Sequence, residues 1–312
     1  MSENRTKMKK TLIIILATIA LLSCKTLITD DFPDFESLPT VNSILVVGKP
    51  LSVQVSLTGG IDSLPLSTVS NAEIELYIDG KFAEKLENSG DGTYTSTLTV
   101  EAGKEYKCNV IIPGYDTVVY SQTLPEASRI LNVEHINIAG RNEEGVSYPA
   151  IKVTFNNSLS ERKYYELVIR CYLVHRPWGS DVAQVEEVST WLPIIVDPVL
   201  LNEGLPIALF SNEMIADSIY TMTINYDTGG DEWINGSWYT SLYPFIVELR
   251  SVTYDYYRYQ KQYYLYTEGK NADFMETVTA SPLYSNIENG YGIFAGYSVF
   301  ATDTIIPKAY ED

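Results

Sequence analysis

The chain has 312 residues, a formal net charge of -18 and a sequence pI of about 4.5. So large an excess of acid excludes a nucleic-acid partner, because phosphate contacts need clustered Lys and Arg. With 45% hydrophobic and 12% aromatic residues the chain is not a disordered acidic tail either. Two histidines and three cysteines leave little material for a metal centre, and no cofactor is expected.

Residues 12–22 read LIIILATIALL directly after Lys9 and Lys10. The run is too short to cross a hydrocarbon core of about 30 Å at roughly 1.5 Å per residue. A basic start followed by a short apolar stretch predicts a secretory leader. It ends in Leu21-Leu22-Ser23-Cys24, which resembles the lipobox of bacterial lipoproteins. Residues 1–23 are therefore read as the leader and Cys24 as the acylated residue, since a thiolate is the side chain nucleophilic enough to take the lipid. The resemblance implies three acyl chains, where a single chain holds only marginally. Residues 24–40 carry Asp30, Asp31, Asp34, Glu36, Pro33 and Pro39 and read as an acidic tether. Lys25 after the Cys disfavours retention at the inner membrane. The expected location is the outer membrane, on the cell surface, with its periplasmic face as the alternative.

From about residue 41 the hydrophobic period becomes two. Leu51, Val53, Val55 and Leu57 alternate with polar residues up to Gly59-Gly60, which predicts a half-buried strand. Ile74, Leu76 and Ile78 repeat the pattern, and Asp79-Gly80 predicts a tight hairpin into residues 82–86. Gly90-Asp91-Gly92 turns the chain before a strand over 94–100. Further strands are predicted over 106–112 and, after Pro113-Gly114, over 117–123. Short strands joined by tight turns predict an immunoglobulin-like β-sandwich over 41–125.

Residues 126–312 read as a β-rich domain with one packed helix. Strands are predicted over 151–155, 166–174, 207–210, 219–226 and 245–253. The strand at 166–174 is apolar on both faces, as a central strand is. Tyr256, Tyr259, Tyr263 and Tyr266 then follow at spacings of 3, 4 and 3, which predicts a tyrosine-rich helix over about 254–268. The stripe suits packing of the helix on its own sheet, and a neighbouring protein is the other surface it fits. Extended structure returns over 293–306.

The most suggestive stretch for binding is residues 227–239, read as a loop. Asp227, Asp231, Glu232 and Asn235 supply polar groups, and Trp233, Trp238 and Tyr239 supply rings, a combination that suits a glycan or peptide ligand. An oxygen-lined calcium site and a loop merely pinned by its indoles are the alternatives; the EF-hand order is absent. Cys108 and Cys171 fall on the apolar parity of strands in different regions. Buried free thiols are expected, with an interdomain disulfide as the alternative open to an exported protein. Neither has a histidine nearby to activate it.

His135 reads as a solvated strand position and His175 as a strand end before Arg176-Pro177-Trp178. Neither falls in a metal-ligand spacing, so no metal is expected. Glu143-Glu144 and Glu186-Glu187 are adjacent pairs whose side chains diverge on a strand. They read as surface charge rather than as the acid pair of a glycosidase. With no GxSxG elbow, the chain is read as non-enzymatic.

The C-terminal segment runs Ser281-Pro282-Leu283-Tyr284-Ser285-Asn286-Ile287-Glu288-Asn289-Gly290-Tyr291-Gly292-Ile293-Phe294-Ala295-Gly296-Tyr297. With the lipobox and the upstream tyrosine helix, it resembles the ending of the DUF4249 family of Bacteroidetes lipoproteins. The resemblance extends over residues 20–312. It implies an outer-membrane lipoprotein that accompanies a TonB-dependent receptor in uptake, and it assigns no catalytic or binding residues. A structural or adhesive cell-surface protein is the alternative, and a glycan-acting hydrolase a more distant one. The glycines at 290, 292 and 296 are read as structural, permitting close backbone approach.

Overall fold

The alternating stretches become strands because a pleated strand buries every second side chain. In the computed structural model, residues 36–60, 67–175, 184–188, 190–271 and 283–310 are described. The first strands are β1 (Pro39–Val46), β2 (Pro50–Leu57), β3 (Ser67–Thr68), β4 (Glu73–Ile78), β5 (Lys81–Lys85), β6 (Glu87–Gly90), β7 (Thr93–Thr99), β8 (Glu105–Ile111) and β9 (Val118–Thr123). There follow β10 (Ile130–Arg141), β11 (Ser147–Asn156), β12 (Tyr164–His175), β13 (Gln184–Val188), helix α1 (Pro198–Glu203), β14 (Leu209–Ser211) and β15 (Ile219–Asn225). The chain continues through β16 (Asp231–Ile234), β17 (Ser237–Thr240), β18 (Phe245–Val252), helix α2 (Tyr254–Asn271) and β19 (Tyr291–Ala301). The leader, Cys24, most of the tether and Trp178 lie outside the described residues.

Among the described residues three sheets form. A ten-stranded sheet runs β13-β12-β18-β19-β1-β2-β7-β6, with β14 on β12 and β3 on β2. A five-stranded sheet runs β10-β11-β17-β16 with β15 on β11, and a four-stranded sheet runs β5-β4-β8-β9. The architecture is mainly β, with one long aromatic helix packed on it.

The large sheet crosses the 125/126 division read from the sequence, because β19 pairs in parallel with β1 from Thr40↔Tyr291 to Val46↔Tyr297. Ser37–Asp312 accordingly clusters as one compact unit. Two glycines make the pairing fit. A Cβ at Gly292, whose φ is 119°, would collide with the Val41 carbonyl oxygen, and one at Gly296 would lie 2.5 Å from that of Leu45.

The period-2 parity of β19 organises the packing. Phe294 joins a first core with Val41, Val53, Leu76 and Val110, while Phe300 packs against a second core that includes Phe155, Ile169 and Leu249. Ile293 and Ala295 point the other way, into a cluster with Leu209, Val252 and Tyr256 of α2. Both smaller sheets therefore contribute to one face of the large sheet, and α2 covers the opposite face. The helix seats itself on Tyr256 and Tyr257. Tyr259 is half-buried and Tyr263 stays 45% exposed, so the 3-4-3 stripe is only partly the packed one.

Helix α1 lies outside the strands predicted from the sequence. Asp197 caps it, accepting from the Val199 N–H at 3.0 Å, Pro198 opens it, and Gly204 closes it at φ 74°. The Asp79-Gly80 hairpin forms as read, with φ values of 49° and 75°. Cys108 and Cys171 are buried and free, one in each of the first two cores. Burial pushes both thiols up to about 12.

Candidate functional site

Residues 231–240 form a hairpin, where the sequence reading had a loop. Asn235-Gly236 sits between β16 and β17 with φ values of 46° and 83°, the backbone that a two-residue turn of matching twist requires. Ile234↔Ser237 flanks the turn, so Trp233↔Trp238 is the next, closely spaced pair. The two indoles meet edge to face with centroids 5.2 Å apart, 57% and 46% exposed. That contact stabilises the hairpin by about 0.5–1.5 kcal/mol beyond the area it buries.

The seven candidate residues divide between two faces and two degrees of exposure. Asp231, Trp233 and Trp238 share one face by parity, Glu232 and Tyr239 the other, and Asn235 is at the turn. Tyr239 packs on Tyr310 with centroids 4.5 Å apart, and the Tyr310 hydroxyl donates to the Thr240 carbonyl at 2.7 Å. Asp227 is buried, and its Oδ1 accepts the Gly229 N–H at 2.8 Å. Burial raises its carboxyl above the usual range, against that hydrogen bond. Asp227 is thus a structural brace, whereas Asp231, Glu232 and Asn235 face solvent.

Tertiary structure adds Trp191 to this surface. Its N–H and carbonyl exchange hydrogen bonds with Asp227 at 3.1 and 3.0 Å, which places the two side by side. The Trp191 ring is 52% exposed and lies over Gly229. It also lines a cleft of about 400 Å³ whose other walls include Arg170, Glu187, Pro206, Ile207 and Tyr264. Arg170 is committed: its Nε lies 2.8 Å from Glu248 and its Nη1 3.1 Å from Glu187. Glu248 also holds Arg250, which reaches Glu166 at 2.8 Å.

His135 departs from its sequence reading. It is half-buried, with Nε2 2.8 Å from the Tyr226 hydroxyl, Nδ1 3.0 Å from Asn137 Oδ1 and its ring against Phe245. The cause is the pairing of β10 with β11, which turns His135 toward Tyr226 and Phe245 of the second core. Burial lowers its pKa, opposed by Asn137. The side chain of His175 is outside the described set. Among the described residues no three His, Cys, Asp or Glu side chains are grouped to hold a metal ion.

The sequence model of a domain of unknown function, DUF4249, matches residues 25–303. The chain belongs to the DUF4249 family. No curated protein matches it. In this DUF4249 chain the C-terminal motif is built into the sheet. Asn286 donates to the Phe294 carbonyl at 2.7 Å and accepts the Phe294 N–H at 2.9 Å, clamping β19, and Ile287 packs into the first core. Ser281 and Pro282 lie outside the described residues.

Proposed function

We propose that this DUF4249 protein is an outer-membrane lipoprotein, anchored through acyl chains on Cys24, that captures substrate for a TonB-dependent receptor or assists it, and catalyses no reaction itself. The observation that carries the reading is the order of the chain: Leu21-Leu22-Ser23-Cys24 ends immediately before residue 25, where the family match begins. In this reading the chain from Cys24 up to β1 is the tether, the immunoglobulin-like sandwich of residues 41–125 is completed by β19, and the ligand-bearing surface belongs to residues 126–312. The protein sits on the cell surface. Its ligand, a glycan or a peptide, meets Asp231, Trp233, Asn235 and Trp238.

A binding rather than catalytic role is supported by how the least exposed acids are used. Asp197 caps α1 and accepts the Tyr220 hydroxyl, Asp227 braces Gly229, and Glu166, Glu203 and Glu248 each face a cation. Extraction of native membranes in mild detergent, followed by capture of this protein, should bring down an outer-membrane β-barrel receptor. Intact mass should show acylated Cys24. Recovery of an unacylated protein in the soluble fraction would refute the anchor. Recovery of the lipoprotein alone, under conditions that preserve other receptor pairs, would refute the partnership and favour an adhesive role.

A further inference from the structure

We infer that Trp191 and the Trp233–Trp238 pair form one platform for a neutral oligosaccharide, with a sugar unit seated in the cleft between Trp191 and Tyr264. The inference rests on the capture reading for its biological role, though not for its chemistry.

The rings are both exposed and held. Trp191 is fixed at its backbone by the two hydrogen bonds to Asp227, and Trp233 and Trp238 hold each other. Gly229 lets the first indole lie directly on the chain, since a Cβ there would come within 3.0 Å of the ring. From Gly229 to Trp233 the backbone spans at most about 14 Å when fully extended. A short ligand therefore reaches both aromatic groups. Rigid, half-exposed indoles offer flat apolar area at little entropic cost, which matches the C–H faces of pyranose rings. At about 400 Å³ the cleft beside Trp191 falls within the range for small-molecule sites.

The polar groups point to the class of ligand. Asp231, on the same hairpin face as the two indoles, is an exposed carboxylate, an acceptor that suits hydroxyl donors. The one cation among the described residues lining the cleft is Arg170, and Glu248 and Glu187 already engage it. A chain of net charge -18 with such a surface disfavours an acidic polysaccharide. An extended peptide would find on the outer edge of β16 only the four residues Asp231–Ile234 to pair with. Hydroxyl-rich, uncharged sugars satisfy both the rings and Asp231.

The test titrates the full-length protein in detergent with cellohexaose, maltohexaose, mannohexaose and xylohexaose while following tryptophan emission. At least one sugar should give a saturable change. Trp191→Ala should weaken its binding at least tenfold, and Trp191→Phe less, with melting temperatures checking that both variants fold. Trp233→Phe, which keeps a ring in the hairpin, should weaken binding more modestly. Failure of all four sugars to bind at millimolar concentration would overturn the inference, as would binding indifferent to both tryptophans. Binding of random-sequence peptides at Trp191, with no sugar bound, would also overturn it. If a receptor co-purifies while no sugar binds, the platform falls and the proposed function stands. Sugar binding at Trp191 in a protein that partners no receptor gives the reverse.

Discussion

Replacing Glu203 by glutamine tests the contact that ties α1 to α2. Glu203 Oε2 accepts from Lys261 Nζ at 2.7 Å and from the Tyr257 hydroxyl, while Oε1 accepts the Ser211 N–H at 2.7 Å. The Glu203 side chain is 5% exposed and that of Lys261 23%. Removing one member of a fully buried pair costs about 3–5 kcal/mol, because the other charge is left uncompensated. Lys261 keeps some water and the Glu203 carbonyl at 3.1 Å. The expected loss is therefore below that range, about 2–3 kcal/mol. At roughly 2–4 °C per kcal/mol, Glu203→Gln should melt about 5–10 °C lower. The effect should also depend on pH. Burial alone would raise the Glu203 carboxyl, but Lys261, Tyr257 and the Ser211 N–H outweigh it and hold the group below the usual range. Such a carboxylate stabilises the fold above its unfolded value of about 4.3, and the gain is lost as pH falls through the lower folded value. Urea unfolding should show a constant gap between wild type and variant near neutral pH, closing in acid. A gap under about 0.5 kcal/mol at pH 7, the scatter of ordinary surface substitutions, would show that Glu203 does not hold α1 to α2. So would a gap unchanged at pH 3.

Four further outcomes follow from the same structure. His135 is half-buried, and that burial lowers its pKa. Its contribution is therefore full above about pH 6.5 and lost as pH falls through the folded value. His135→Gln should flatten the decline in stability between pH 7 and 5, and parallel slopes would remove His135 from the account. Gly292→Ala should destabilise by well over about 1 kcal/mol, since it combines a positive φ with a collision at Val41; an unchanged melting temperature would contradict the close β1–β19 pairing. Cys108 and Cys171, raised to about 12, should react with a disulfide reagent only on unfolding, and rapid labelling of the native protein would disprove their burial. Trp233→Ala should loosen β16 and β17 by about 0.5–1.5 kcal/mol. Amide exchange should then quicken over residues 231–240 alone, and faster exchange in β12 or β18 would mean the hairpin supports the core.

Local pattern carried much of this fold. Strands β2, β4 and β8 could be read because alternation along one strand reports its own burial, and β12 because its apolar residues fall on both faces. The Asp79-Gly80 hairpin was legible because the turn's dihedral demand falls on the two residues that make it. The same logic applied to Asn235-Gly236 and to Asp197-Pro198 with Gly204. The tyrosine helix was legible in extent, but its packed side was not. Tyrosines surround it, so the choice fell to Glu203 on another element, which drew Tyr257 and Lys261 inward.

The acidic character, the strand-rich class and the family were legible in the chain alone, because each depends on residue type or short spacing. Only the folded chain brings β19 beside β1, His135 against Tyr226, and Trp191 against Asp227 and Gly229. Each of these joins segments far apart in the chain. No period within either segment encodes which partner it meets; the partner is chosen by which faces bury together once the sheets assemble.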